Sequence, residues 1–455
     1  MRIHLIGHAS LLFETADRRI LMDPVLGAHH QEGLFEVFPP RRVDLAAMPT
    51  IDTIVISHRH LDHFDIPSLA ALPRDVQVLI PRDPLIQRCL ERLGFRRVVQ
   101  LRAWSTVTLG ETTLMTTASR APIAEFGLVV SDASAVCWNL VDSVISPDII
   151  TVTRSRFPAI DILLATWQPL LEGNLQTFRP LSFPFDTYEE LLAHIALIEP
   201  AVVVPGSNGY VHRGASAWLD AAVFPVTRER FCEDVRRTCP ALDGQIFALD
   251  PGDVLALNGS SLRIEVEGSP FVAREDPGRE RLDFSPVEPR AALVDDDPLG
   301  LGDERLLARV EPFAVDELPA MIAARPHAFA EHRRLGVRHQ LEVVLPGGDR
   351  RRWWYDLGED PPRARPGRDP LATSFGSITA SGLVGLLDGE HSYNRLLLGG
   401  YMRSFQTALV ATPAGVVRPR GRTLPDPLCL CIPDNPAFER ARDREIERWL
   451  ATRAG

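Results

Sequence analysis

Apolar residues in the first half of the chain gather into short runs separated by polar turns. Ile3–Phe13 and Arg19–Met22 predict a hairpin with Ala16 and Asp17 near its turn. Thr53–Ser57 and Val76–Ile80 read as buried strands. Ile66–Leu72 between them predicts a short helix, with Asp65 as N-cap and Pro67 in the first turn. Pro84–Leu93 predicts a helix that Gly94 ends. Arg97–Thr117 and Gly127–Leu140 are rich in Thr and Val, which suits strands. Asp161–Ala165, Ala201–Pro205 and Asp253–Leu257 continue the strand pattern, and Tyr188–Ile198 and Arg228–Arg237 are helical. Strands with helices between them predict a layered α/β domain over residues 1–260.

The pattern then changes. Gly, Pro and acidic residues crowd the run from Gly268 to Asp303, so 261–303 reads as a linker or irregular connection. Glu304–Ala323 is a helical stretch. His339–Leu345 and Arg351–Leu357 flank Pro346-Gly347-Gly348-Asp349, a hairpin signal. Ser377–Leu387 and Tyr393–Leu398 predict two helices around Asp388-Gly389, and Tyr401–Phe405 a strand. Residues 304–455 therefore predict a smaller C-terminal α+β domain.

Composition narrows the class. A chain of 455 residues, 45% hydrophobic and 24% charged, has ordinary globular composition and excludes a disordered or collagen-like protein. A net charge of -11 without a basic stripe argues against nucleic-acid binding. No long apolar window predicts a membrane span, and Met1–His8 is too polar for a signal peptide. Cysteines 89, 137, 232, 239, 429 and 431 are scattered without a C-x2-C pair, so a reducing cytoplasm is the expected compartment. Every basic residue of the Lys and Arg class is Arg, which excludes Schiff-base and P-loop lysine chemistry.

The chemistry concentrates in Ser57-His58-Arg59-His60-Leu61-Asp62-His63-Phe64-Asp65, directly after a predicted strand. Extended backbone would send His58 and His60 to one side. Asp62 and His63 would come from the turn beyond. Four donors this close can serve two metals, His58 and His60 on one, Asp62 and His63 on the other. A polar loop with accidental histidines is the alternative, and H-x-H-x-D-H is too specific for it.

With this motif, and with Ile6–Pro24 ahead of it, the sequence resembles the metallo-β-lactamase superfamily over residues 1–258. The resemblance implies an αββα sandwich with metals at one edge of the two sheets. It also implies further ligands downstream. A third histidine for the first metal is missing, because Thr108–Leu140 contains none. Glu125 is the nearest candidate, and a solvated loop carboxylate is its alternative. Asp142 fits the bridging aspartate; its competitor Asp132 sits in a predicted hairpin turn. His212, after Pro205-Gly206, fits the final histidine; its competitor His194 is mid-helix. The implied sets are His58, His60, Glu125 and Asp142 on one metal, and Asp62, His63, Asp142 and His212 on the other. Such a carboxylate-rich donor set suits iron, whereas a third histidine would suit zinc better.

Val136–Pro147, Asp161–Ala165 and Pro200–His212 are similar to the corresponding segments of CMP-N-acetylneuraminate hydroxylases. Two further comparisons are the diiron β-hydroxylases of carrier-bound amino acids, which use Glu where hydrolases use His, and the diiron diterpenoid hydroxylases. These resemblances imply a non-haem diiron monooxygenase. It would use O2 as co-substrate to hydroxylate an unactivated C–H bond of a small, hydrophobic natural-product intermediate. No C-x-H…C-x2-H Rieske pattern exists here, so a separate ferredoxin and reductase would supply electrons. The long N-terminal domain of the carrier-dependent enzymes is not matched, and a carrier-protein partner is not expected. The competing reading is a dizinc hydrolase of a lactone, ester or phosphoester.

Other residues carry smaller expectations. His8 reads as a structural or outer residue of the site, and His29 and His30 as residues able to touch substrate. Trp138 reads as strand core, with Trp167-Gln168 near the pocket. Cys137 reads as a small hydrophobe pointing opposite to Trp138. Cys429-Leu430-Cys431 reads as strand packing, and Arg350–Arg352 as a solvated hairpin edge. Over residues 304–410, Ser377–Gly389 and Leu396–Tyr401 resemble a sterol-carrier-protein-like domain. That implies an apolar tunnel and a lid for a greasy substrate. A packing or dimerisation module, giving a homodimer, is the alternative. Trp353, Trp354 and Tyr355 would be core or interface aromatics in either case.

Overall fold

The computed structural model describes residues 1–179, 182–258, 261–275, 284–285, 292–420, 423–432 and 436–451. Two sheets lie face to face. The first has eight strands in the spatial order Ser261–Glu265, Val254–Asn258, Arg2–Gly7, Ser10–Glu14, Arg19–Met22, Thr53–Val55, Gln77–Pro81 and Arg97–Leu101. The second has six, Thr106–Leu109, Thr112–Thr117, Gly127–Ser131, Val136–Asn139, Ile162–Ala165 and Val202–Pro205, neighbours in that order. The predicted first hairpin is really three strands, because Gly7 to Ser10 makes an additional tight turn.

Side-chain alternation assigns each strand residue to a layer. Phe13, Ile20, Val55 and Leu79 meet Leu128, Val130, Ile162 and Leu164 between the sheets. Their neighbours Leu12, Leu21, Ile54 and Val78 face outward onto the helices Ile66–Ala71 and Pro84–Leu93. On the other side Val129, Trp138, Leu163 and Val203 pack under Pro147–Arg156, Phe185–Ile198 and Arg228–Thr238. The layer order is therefore αββα. Trp138 and Cys137 are both buried on opposite faces of one strand.

The C-terminal α+β unit has a five-stranded sheet, ordered Arg365–Pro366, Arg350–Asp356, Arg338–Val344, Ser374–Thr379 and Met402–Gln406. Its own core joins Leu341, Val343, Trp353 and Tyr355 to helix residues Leu306, Phe313, Leu383 and Leu387. Three local expectations change here. Ser377–Leu387 is not one helix: a strand runs to Thr379, whose side chain caps the helix Ala380–Asp388. Cys429 and Cys431 lie on a short helix, because Asp426 accepts from Leu428 N and Pro427 presets the first turn. Arg350 and Arg352 are bound by Glu342 at 2.6 Å each, so they are paired rather than simply solvated.

Part of the predicted connection is ordered: Val272–Arg274 pairs with Arg41–Val43. Residues 276–283 and 286–291 of that stretch lie outside the described residues. The final helix, Pro436–Ala451, returns to the first unit, where Ile446 joins the core over Ile86 and Leu90. Arg88–Glu439 at 2.6 Å and Arg92–Glu447 at 2.8 Å flank that contact. Among the described residues no helix is long and apolar enough to cross a membrane.

Candidate metal centre

The chemistry-bearing residues sit in loops at strand ends, the usual place for sites in layered α/β folds. The H-x-H-x-D-H segment follows Thr53–Val55 and closes a turn in which Phe64 N donates to His60 O at 2.8 Å. That turn brings His58 Nε2 within 3.0 Å of His60 Nδ1. Asp65 caps the next helix as predicted, accepting from Ser68 N at 2.9 Å. Asp142 lies three residues beyond Val136–Asn139, in a loop held by Asn139 Oδ1, which accepts from Val141 N at 3.0 Å.

His63 is the hub. Its Nδ1 lies 2.9 Å from Asp23 Oδ2, and its Nε2 lies 3.1 Å from Asp142 Oδ2 and 3.6 Å from Asp62 Oδ2. Asp23, just after Arg19–Met22, also accepts from Ser57 N and Ser57 Oγ at 2.7 Å each. Ser57 Oγ in turn lies 2.9 Å from His58 Nδ1. One buried carboxylate thus fixes the two motif histidines from behind.

Electrostatics follow the same geometry. Burial pushes the His63 ring down, but Asp142, Asp62 and Asp23 outweigh it and hold it well above the usual imidazole range. Burial drives His58 well below that range and lowers His60 as well. Burial pushes Asp142 and Asp62 up, and the surrounding imidazoles outweigh it, holding both carboxyls low. His58 and His60 are thus neutral donors beside ionised carboxylates, and a bound divalent cation would displace the proton that these carboxylates hold on His63.

Two groups of three donors converge so that their ligand atoms lie within 4.8 Å of one another: His58, His63 and Asp142, and His8, Asp62 and His63. Buried Asp142 Oδ1 makes no hydrogen bond within the protein. The donors present therefore fit a metal. His60 adjoins the first group through His58. His212 lies on the strand Tyr210–His212, paired with Phe35–Val37, and its Nδ1 is fixed by Asp220 Oδ1 at 2.7 Å. Its Nε2 is buried without a partner, yet His212 belongs to neither group. Glu125 also stands outside both. Its Oε1 accepts a hydrogen bond from Ser119 Oγ. Burial raises its pKa, the Ser119 hydrogen bond works against that, and Asp142 and His63 act in opposite senses. His194 remains on its helix, and Asp132 closes its hairpin by accepting from Ser134 N.

Sequence reasoning underrated His8 and His30. His8 Nε2 lies 3.3 Å from Asp62 Oδ2, and His30 stacks on the His8 ring with centroids 5.1 Å apart. Asp23 was also missed, because only the pairing of Arg19–Met22 with Thr53–Val55 brings it behind the motif. His29 is exposed at the rim. Beside His8 a cavity of about 510 Å³ is lined by Trp167, Gln168, Tyr210, Phe224 and Arg228.

The chain is similar to several known proteins. A family profile described as the β-lactamase superfamily domain matches residues 18–169. Over 187 residues the chain is 30% identical to a Mycolicibacterium smegmatis protein described as a Rieske 2Fe-2S iron-sulfur protein. That match spans 38% of this chain and 36% of that protein, about a third of the relative's length. Among solved structures, an isothiocyanate hydrolase from Delia radicum gut bacteria is 16% identical with a TM-score of 0.43, covering 57% of this chain and 100% of that one. CmlA, a diiron β-hydroxylase from Streptomyces venezuelae, is 18% identical with a TM-score of 0.38, covering 54% and 52%. The first unit is an αββα sandwich that contains the residues matched by the β-lactamase superfamily profile, and a smaller C-terminal α+β unit follows it. The matched residues 18–169 include His58, Asp62, His63 and Asp142 of the candidate site, while His8 lies ahead of them.

Proposed function

We propose that this chain is a non-haem diiron monooxygenase that hydroxylates an unactivated C–H bond of a small hydrophobic substrate. The observation that carries the reading is Glu125. Thr108–Leu140 contains no histidine, and Glu125 within it is the carboxylate that would take the place of a third histidine and add to Asp62 and Asp142. Oxygen-rich donor sets with imidazole favour iron over zinc. His58, His60, Glu125 and Asp142 would hold one iron, and Asp62, His63, Asp142 and His212 the other. Bound iron would supply the O2 chemistry that side chains cannot perform.

The chain's own residues supply order and dryness. Asp23 orients His63, Ser57 orients His58, and Asp220 orients His212. Trp167, Tyr210 and Phe224 wall the cavity beside His8 and would receive the apolar body of a substrate. The iron-sulfur name of the mycobacterial relative supports an iron and electron-transfer setting. Lacking a Rieske pattern, this chain would take electrons from a separate ferredoxin and reductase in the cytoplasm. The C-terminal unit is proposed as a sterol-carrier-like lid, or else as the module that makes a homodimer.

One observation favours the competing dizinc hydrolase. Glu125 is already engaged by Ser119 and stands outside both groups of three donors. Metal content and visible spectrum of protein made in iron-supplemented medium decide between them. About two irons per chain with a bridged diferric absorption band, followed by ferredoxin-dependent O2 uptake, is the expected result. About two zincs, with supplied iron excluded, would replace the oxygenase by the hydrolase.

A further inference from the structure

We infer that His8 is a direct ligand of the second metal, sharing that ion with Asp62 and His63. The inference rests on the reading of this cluster as a metal centre. It adds a donor from the turn between the first two strands, a segment that the H-x-H-x-D-H motif does not include.

The argument begins with unpaired nitrogens. His8 is buried, and neither of its ring nitrogens makes a hydrogen bond within the protein. A buried polar atom without a partner costs about 1–3 kcal/mol, so such an atom calls for a ligand. His8 Nε2 has Asp62 Oδ2 only 3.3 Å away, yet it has no hydrogen-bond partner. With His63, the two groups bring ligand atoms within 4.8 Å of one another, so one cation could serve all three. Neighbouring donors held at about 2.0–2.2 Å from one ion lie roughly 2.8–3.6 Å apart, from right angles to tetrahedral ones. The observed pairs fit: 3.3 Å for His8 with Asp62, and 3.6 Å for Asp62 with His63.

The backbone is committed to this placement. His8 has a φ of 53°, in the left-handed region that histidine seldom occupies. Gly209 packs directly on it: a Cβ there would stand 3.2 Å from His8 Cα and N. His30 stacks behind the ring, and Tyr210 meets it edge-on at 5.5 Å. His8 is therefore held beside Asp62 by two separate segments, His29–His30 and Gly209–His212. Its Nδ1 bonds to nothing in the protein that would turn the ring away.

The test compares wild type, His8→Ala, His8→Asn and His212→Ala, each stripped and reloaded with Fe(II) or Co(II), with folding checked by circular dichroism. Wild type should hold about two ions per chain and the His8 variants about one, whatever their activity. His8 variants that hold two ions as tightly as wild type would overturn the assignment. So would loss of the second ion in His212→Ala alone. A wild type that takes no metal would instead remove the metal reading itself. Should the truncations not fold, His8→Cys loaded with Co(II) reads the same contact. A thiolate-to-cobalt charge-transfer band is expected, and two bound cobalt ions without that band would refute the ligand role.

Discussion

Asp23 Oδ2 stands 2.9 Å from His63 Nδ1, with both side chains closed to solvent. The pair sets which His63 nitrogen faces the centre, since an Nδ1–H donated to Asp23 leaves Nε2 as the free donor. Asp23 meanwhile accepts twice from Ser57. An amide at this position has one acceptor oxygen and cannot serve all three donors. Asp23→Asn should therefore keep the fold and weaken metal binding by about 10–100-fold. Competition with a coloured chelator measures it. Unchanged affinity would mean that Asp23 only packs.

Glu125 separates the two chemistries. In Glu125→His the first metal would gain an imidazole and lose a carboxylate. The expected outcome is an intact fold, a higher zinc-to-iron ratio when both are supplied, and reduced iron-dependent oxidation. Metal analysis and O2 uptake read the two effects separately. Full oxidative activity in this variant would remove Glu125 from the ligand set.

The motif residues were legible because their spacing in sequence is their spacing in space. His58, His60, Asp62 and His63 share one tight loop, and Asp142 follows a strand whose apolar run is plain. Asp23, His8 and His30 come from other strand ends and carry no local spacing signal. Only the sheet order, which sets Arg19–Met22 beside Thr53–Val55, brings Asp23 behind His63. The layers were readable from runs of Val, Ile and Leu with turns between them. The return of the last helix was not. Its partners Arg88 and Arg92 are some 350 residues away, and charges on a helix face look the same whether solvated or paired. Cys429-Leu430-Cys431 misled because an apolar alternation over three residues fits a strand as well as one helical turn, and the Asp426-Pro427 start signal decided it.

Glu32 ties the site's border to the C-terminal unit. Its buried carboxylate accepts from Ser392 N at 2.9 Å and Ser392 Oγ at 3.0 Å, with Arg442 of the last helix 3.5 Å away. His30 lies two residues before it. Glu32→Ala would remove the acceptor for Ser392 and one charge partner of Arg442. A loss of about 2 kcal/mol in urea-unfolding free energy is expected, with a smaller effect in Glu32→Gln. Equal stability of Glu32→Ala and wild type would show that the two units hold together without this contact.

The C-terminal core should set the acid limit of the fold through His339. The ring is inaccessible, its Nδ1 lies 3.0 Å from Ser374 Oγ, and its Nε2 has no protein partner. Burial, with a small contribution from His332, pushes its pKa down to about 3 from an ordinary 6.5. A depressed histidine stays neutral in the folded chain while the unfolded chain takes up a proton. Its share of stability is thus complete above the unfolded value of 6.5 and is lost as pH falls towards 3. The slope is about 1.4 kcal/mol per pH unit, or roughly 2 kcal/mol by pH 5. Buried Asp426, pushed up to about 6 by burial, acts in the opposite sense, since its protonated form is the one the fold prefers. Comparing His339→Gln with wild type cancels that opposing contribution. Urea unfolding followed from about pH 7 to about pH 4 should show wild type losing stability faster than the variant. Curves that stay parallel over this range would mean that His339 titrates alike in both states, and that the acid limit is set elsewhere.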